Sequence, residues 1–536
     1  MAVEPVTRKK YQPKPKTSPA TGTAAGLKEI QGKVVVSEEY HETPPQVKVK
    51  IQLKADELDK AYTAIDERLS GYGRYFQRGG QLVVVLDVPA IDIVRGPLTQ
   101  PTVRGLTVDG LRAALADKVT FTKFDKRLKD FKPCGLDRET AGAYLSEARK
   151  CGLPVLRGLI TAPTIRPDGS ILQRPGHDPE TGLFLAGGKF SPVLDTPTRE
   201  DAEKALTAIL APLAGFPFVD DPDKAAAVAA VLTVIARPCL SVVPMFAITA
   251  RTMATGKTLL AWLIAFVGAG RNNWASASYT TDAEELAKSV LSLALAGETI
   301  QCFDNIDRPF KSGKLCDWIT NPEIGGRILG QSKTSTIPNL VTFLATGNNL
   351  TLAGDLTTRA LRIAMDAGVE HPEERAFEVD LRQWVPANRG RLVAAGLNIL
   401  RAYHLAGKPK PQGWSEFGRF EAWSDLVRGA VVWLGMDDPL VTKDSLAELD
   451  PVTESLGEVL TAWHECFGNE SKTAAEAIKQ GSAQLQEAID NAINSPQGVK
   501  PKTLGKWLKS YEGRIVDGLK ISSKRYQGIK FWKVEG

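Results

Sequence analysis

Between residues 240 and 365 the chain alternates short apolar runs with stretches whose apolar residues recur at helical spacing. Met245–Ala250, MFAITA, reads as one buried strand, and from Lys257 to Gly268 the apolar pattern takes up a helical period. A short strand is predicted near Trp274–Tyr279, then a helix capped by Thr280 or Thr281 with Glu284 and running to Ala296. Glu298–Asn305, ETIQCFDN, and Leu340–Asn349, LVTFLATGNN, read as two further buried strands with polar ends. Gly354–Arg362, GDLTTRALR, predicts a helix that carries Arg359 and Arg362. Near-continuous apolar strands alternating with helices predict an α/β core around a parallel sheet. Ligands of such sheets bind outside the carboxyl ends of the strands.

The flanks follow other patterns. Residues 46–195 read as a mixed α+β domain, with helices over 55–69, Val108–Ala116 and Asp137–Lys150, a strand at Gln81–Val88 and a hairpin turning at Pro167–Gly169. A helical subdomain over 196–240 follows, its first helix begun by Thr198 and running to Leu213, its second spanning Asp220–Arg237. After the core (241–368), helices at Asp380–Leu405 and Phe417–Leu434 predict a helical lid over 369–470, with Trp384, Tyr403, Trp423 and Trp433 as packing residues. Thr473–Asn494 is polar and helical, and Thr503–Tyr511 is a helix before two short strands with Gly513, Gly518 and Gly528 at the turns. That order over 471–536 looks like a winged helix. Residues 1–45 are basic and Pro-rich without periodicity, which predicts a disordered arm.

Composition narrows the class. A chain of 536 residues has room for two to four domains. Its six cysteines include no Cys-x-x-Cys pair, and only Cys466 has a histidine near it, His464, which is too few ligands for zinc and fits a reducing compartment. The longest apolar runs, Ala225–Ala236 and Leu259–Val267, fall short of the ~20 residues of a bilayer span, so no membrane partner and a cytoplasmic location are expected. The net charge of +5 is uneven: residues 1–16 carry +4 and residues 496–536 carry +7. Basic ends on an acidic body point to polyanions, with Lys506, Lys509, Lys524 and Arg525 as the candidate phosphate contacts of the C-terminal domain.

The candidate chemistry sits at the strand ends. Thr255-Gly256-Lys257-Thr258-Leu259 joins the first strand to its helix, as a phosphate-binding loop does: Lys257 reaches phosphates and Thr258 offers a hydroxyl to Mg²⁺. The full pattern has a glycine where Arg251 stands, and Ala254 occupies a second small-residue place. Asp304 at the end of its strand can hold the metal's water shell, Asn348 ends the next strand in an amide, and Arg359 follows.

These stretches resemble the AAA+ core of superfamily 3 helicases, especially the replication helicases and primase-helicases of phages, poxviruses and mobile elements. The matching stretches are ATGKT (254–258), IQCFDN (300–305), GGRILGQSKTSTIPN (325–339), FLATGNN (343–349) and GDLTTR (354–359). RYFQRGGQLVVV (74–85) loosely resembles the accessory region of poxvirus-type members. The resemblance implies ATP and Mg²⁺ as cofactors and inter-subunit sites in a homo-oligomeric ring, hexameric in such proteins. Arg359 would reach a neighbour's γ-phosphate, with Arg362 as the alternative, and Asn348 would orient water. A basic hairpin with Arg327, Gln331 and Lys333 would grip single-stranded or forked DNA. Asn305 stands where a catalytic glutamate often follows the aspartate, and Asp307 is the substitute base. An amide orients water and takes no proton. Three functions therefore stay open: an ATP-driven DNA helicase or translocase serving a phage or mobile element, a nucleotide-gated DNA-binding protein with weak or no hydrolysis, and an ATPase that remodels protein partners.

Overall fold

The computed structural model describes residues 35–36, 48–54, 56–92, 96–146, 152–271, 275–277, 280, 282–327, 334–369, 371–374, 379–443, 451–493, 498–526 and 529–536. Its centre is built by helix α1 (Asp221–Ala236), strand β1 (Met245–Ala250), helix α2 (Lys257–Ala269), strand β2 (Ala275–Ala277) and helix α3 (Ala283–Leu295). Strand β3 (Ile300–Ile306), strand β4 (Thr342–Asn348), strand β5 (Ala360–Met365) and helix α4 (Leu381–Leu405) complete it. The five strands form one wholly parallel sheet in the order β2-β3-β4-β1-β5. The strand preceding the lysine loop thus lies between β4 and β5, with the acidic strand one place beyond β4. All their carboxyl ends open on one edge.

Packing explains the order. α1 is apolar on every face and buried along Ala225–Ala236, which suits a helix enclosed by the sheet, α2 and α4. The buried hydroxyl of Thr233 donates to Ala229 O and accepts from Trp423 Nε1 at 2.8 Å, satisfying both groups. α3 is capped by Asp282, which accepts from the amides of Glu284 and Glu285; Thr280 instead accepts from Asp282 N, so the expected threonine cap lies one place off. The outer edge of β5 is covered by the segment before α1: Val219 N donates to Ala364 O and Asp366 N to Pro217 O.

The helix expected over Gly354–Arg362 is absent. A 3₁₀ turn, Gly354–Leu356, leads straight into β5, whose residues pair one for one with β1 from Met245↔Ala360 to Ala250↔Met365. A six-residue apolar run fits a strand or a helix equally well, and the free edge of β1 decides it. Arg362 is consequently a strand residue. Its Nε and Nη2 each lie 3.2 Å from the fully buried Asp223 carboxylate, which also accepts from Ala364 N. The predicted helix Phe417–Leu434 runs without a break from Glu421 to Trp433, with a π turn at Ser424–Arg428 inside it, and buried Arg428 is bound to Asp438 and Ser415.

Upstream, Val49–Leu53 pairs in parallel with Val119–Asp125, which pairs with Asp130–Cys134, over a separate core that includes Ile65, Leu111 and Tyr144. A second sheet joins Tyr75–Arg78, Gln81–Asp92 and Gly96–Gly105. The predicted helix at 137–150 is described from Arg138 to Ser146, with Asp137 accepting from Thr140 N. Within the segment expected to be disordered, Val35–Val36 form a strand on Lys189–Phe190. At the other end, helices Ala474–Gln480, Ala483–Ile493 and Pro501–Ser510 pack on a sheet whose long strands are Leu519–Tyr526 and Ile529–Glu535. This core reaches back to Leu456, so helix Pro451–Phe467 packs with the C-terminal domain. No described helix is long and apolar enough to cross a membrane.

Replacing Arg362 by alanine strips the buried Asp223 of its cation. The expected cost is about 3–5 kcal/mol, read as a lowered denaturant midpoint of the core transition.

Candidate functional site

The loop Arg251–Gly256 leaves β1 at the carboxyl edge and turns into α2 through Gly256, whose φ of +103° is a left-handed conformation open to glycine. A Cβ there would stand in ordinary contact with the Phe216 ring at 3.5 Å, so the backbone angle alone calls for glycine. Ala254 is left-handed as well, at φ +56°, a strain of about 1–2 kcal/mol for a residue with a Cβ. Thr255 is buried and ties the loop down by donating to Thr252 O at 2.8 Å. Arg251 points outward with its nearest carboxylate, Asp366, 3.8 Å away. Lys257 is half-buried and folds back so that Nζ donates to Thr252 O at 2.9 Å. Burial pushes its pKa below the ordinary lysine value, and Asp304 opposes the shift. Leu259 packs its side chain against the core, so it can offer a ligand only its backbone.

β3 brings the acid to this loop through a bulge. Its register with β4 slips between Phe303 and Ile306, and Asn305 takes φ +55°. Asp304 is turned so that Oδ1 accepts from Thr346 Oγ1 at 2.5 Å and from Thr258 Oγ1 at 3.2 Å. Thr346 also accepts from Asn305 N at 3.0 Å, so one buried hydroxyl holds both bulge residues. The sequence reading missed Thr346; its signal was a hydroxyl inside an otherwise apolar strand. Asn305 fits because asparagine tolerates the left-handed region better than glutamate does. Asp307 is exposed, with Arg308 beside it at 3.3 Å. At the end of β4, Asn348 Oδ1 is buried with no hydrogen-bond partner among the described residues. An orphaned amide oxygen beside a lysine loop calls for a donor from a ligand or its water.

These residues fit a nucleotide with Mg²⁺. Thr258 and Asp304 present a hydroxyl and a carboxylate to one point, while the loop amides, Lys257 and the start of α2 supply positive charge.

Arg359 lies elsewhere. It precedes β5, at the amino edge of the sheet, about 17 Å of strand from the lysine loop. Its Nη1 contacts Asp355 O at 2.9 Å and Asp355 Oδ2 at 3.2 Å, while Nε is buried and unpaired among the described residues. It lines a cavity of about 290 Å³ with Glu416, Arg419 and Lys443. Arg362, held by Asp223, is committed within the chain. Glu323–Arg327 and Thr334–Pro338 form the expected antiparallel hairpin, while Gln331 and Lys333 lie outside the described residues. Lys506 and Lys509 are exposed on Pro501–Ser510, and Lys524 and Arg525 are exposed near the end of strand Leu519–Tyr526. Lys530 and Lys520 are engaged by Glu512 and Glu535.

No protein-family model matches the chain, and no curated protein matches it. Among solved structures it is similar to the apo C-terminal region of NrS-1, at 12% identity over 79% of this chain and 98% of that one, with a TM-score of 0.34. It is also similar to SCCmec type IV Cch, described as an active helicase, at 11% identity over 86% of this chain and 97% of that one, TM-score 0.33. The JCV helicase matches at 12% identity over 49% of this chain and 71% of its own, TM-score 0.21. Likeness at these scores carries no functional argument, which falls to the side chains.

Thr346→Val removes the hydroxyl that orients Asp304. Half-saturation by Mg²⁺ in a nucleotide-binding titration is expected to move up about tenfold or more, as for loss of other residues that orient metal ligands.

Proposed function

We propose that this chain is an ATP-hydrolysing DNA helicase or translocase of superfamily 3 type, working as a ring of identical subunits in the replication of a phage or mobile element. The observation that carries the reading is the convergence of Lys257, Thr258, Asp304 and Asn348 at one sheet edge, held by a bulge and a buried threonine. In this mechanism Thr255–Leu259 hold the phosphates, and Lys257 leaves the Thr252 carbonyl to neutralise their charge. Bound Mg²⁺, held by Thr258 and Asp304, would supply charge neutralisation at the transferred phosphoryl group. Asn348 uses its unpaired oxygen to orient water. Arg359, at the far edge of its own sheet, serves the pocket of a neighbouring copy. That arrangement makes hydrolysis depend on assembly. The hairpin with Lys333 grips the DNA backbone, and the winged-helix-like end adds Lys506, Lys509, Lys524 and Arg525.

A second reading is favoured by one feature. Asn305 occupies the place beside Asp304 where a base would stand, and Asp307 is displaced and solvent-facing. A nucleotide-gated DNA-binding protein that barely hydrolyses ATP would need nothing more.

Steady-state ATP turnover with and without single-stranded DNA separates the two. Under the motor reading Lys257→Ala lowers kcat by about 10²–10³-fold, as removal of a preorganised charge contact does. Tight DNA binding with no turnover in the unaltered chain selects the second. Mixing Lys257→Ala with Arg359→Ala subunits is expected to restore part of the activity, because some interfaces then pair an intact lysine with an intact arginine; no recovery at any ratio rejects a shared site. Lys524→Ala with Arg525→Ala is expected to flatten the log–log salt dependence of DNA affinity by about one for each phosphate that is no longer neutralised.

A further inference from the structure

The nucleotide site makes no use of the turn Arg78-Gly79-Gly80, which the N-terminal domain drives into the core. Gly79 and Gly80, at φ +56° and +76°, close the two-residue connection between Tyr75–Arg78 and Gln81–Asp92. Arg78 is 5% exposed and donates from Nη1 to Leu295 O and from Nη2 to Ala294 O, each at 2.8 Å. These carbonyls end α3, where free acceptors and the negative end of the helix dipole receive a cation. Burial pulls the guanidinium pKa down to about 10, so the contact is held in a largely dry setting.

The same turn touches the root of the hairpin. Ser335 Oγ donates to Gly79 O at 3.1 Å. A Cβ on Gly79 would lie 2.4 Å from Ser335 Oγ and 2.9 Å from Ile337 Cγ2, so the turn and the hairpin's second strand are in closest contact. On the first strand, Gly326 approaches Leu291 of α3 so closely that a Cβ would stand 2.9 Å from its methyl carbon. The end of α3, the hairpin and the domain's turn are thus one packed junction. Just beyond the hairpin, the buried Arg237 binds the carbonyls of Asn339 and Val341, fixing the chain's return to β4.

We propose that Arg78 and Gly79 are positioning residues for the nucleic-acid hairpin, and that the N-terminal domain moves with the hairpin as one unit. The proposal rests on the motor reading above for its functional half. Its structural half stands on the junction alone. A hairpin displaced relative to α3 must either carry the N-terminal domain along, which breaks the Arg78 contacts to α3, or leave it behind, which breaks the Ser335 contact.

The test uses the full chain with Arg78→Ala and Arg78→Lys, and Ser335→Ala for the exchange measurement. Hydrogen exchange of hairpin amides 323–327 and 334–338 is expected to quicken about tenfold in Arg78→Ala and in Ser335→Ala, because local opening of the hairpin becomes easier. DNA-independent ATP turnover of the Arg78 variants is expected to stay within about twofold of the parent while stimulation by single-stranded DNA falls about fivefold or more, the range of ordinary site-to-site coupling. Arg78→Lys, which keeps the charge and one carbonyl contact, is expected to recover part of both effects; it also stands in should the alanine variant fail to fold. Unchanged exchange in Arg78→Ala and Ser335→Ala overturns the proposal outright. Faster exchange with undiminished DNA stimulation overturns its functional half. A parent chain with ATP turnover but no response to DNA rejects the motor reading, and the exchange result still decides whether the junction holds the hairpin.

Discussion

The carboxylate of Asp304 is the point on which the candidate site turns. Two hydroxyls reach the same oxygen, one from the first turn of α2 and one from β4. They tie together three segments far apart in the chain. Neither contact would exist if β3 ran regularly beside β4. Alternation along a strand points successive side chains to opposite faces, and the bulge at Asp304–Asn305 breaks that alternation where the acid must face the loop. The local strain at Asn305 and Ala254 belongs to the same construction: backbone bent into sparsely populated regions is held there by packing from the sheet.

The sheet order supplies the rest of the geometry. Because β1 is inserted between β4 and β5, the lysine loop faces β4's amide and β3's acid on one side. On its other side lies β5, whose amino end places the mostly buried Arg359 at the opposite edge of the sheet. One sheet therefore presents Lys257, Asp304 and Asn348 at one end and Arg359 at the other.

Much of this was legible in the residues. Strands buried on both faces announce themselves as apolar runs, which is why β1, β3 and β4, with α2 and α3, lie where the hydrophobic pattern places them. β5 was misread because ALRIAM is too short to distinguish periods, and the deciding fact was a vacant edge on a strand more than a hundred residues earlier. Thr346 was invisible for a related reason: its role comes from Asp304, 42 positions away, and from a register slip that no local pattern encodes. Arg362 carried the right chemistry for a catalytic arginine, and only the buried Asp223 shows that its charge is already committed inside the fold. Of the stretch RYFQRGGQLVVV only the strand from Gln81 was expected, and nothing in it foretold that the turn before that strand would be lodged under the hairpin. Contacts between domains leave little trace in sequence when one partner is a backbone carbonyl.

The covered flank of β5 has a bearing on assembly. The amide of Val219 and the carbonyl of Pro217 occupy hydrogen-bonding positions that another polypeptide would otherwise claim. A second molecule is thereby denied the simplest way of joining, which is to extend the sheet across the boundary as an added ribbon. At this edge any contact with another polypeptide falls to side chains instead.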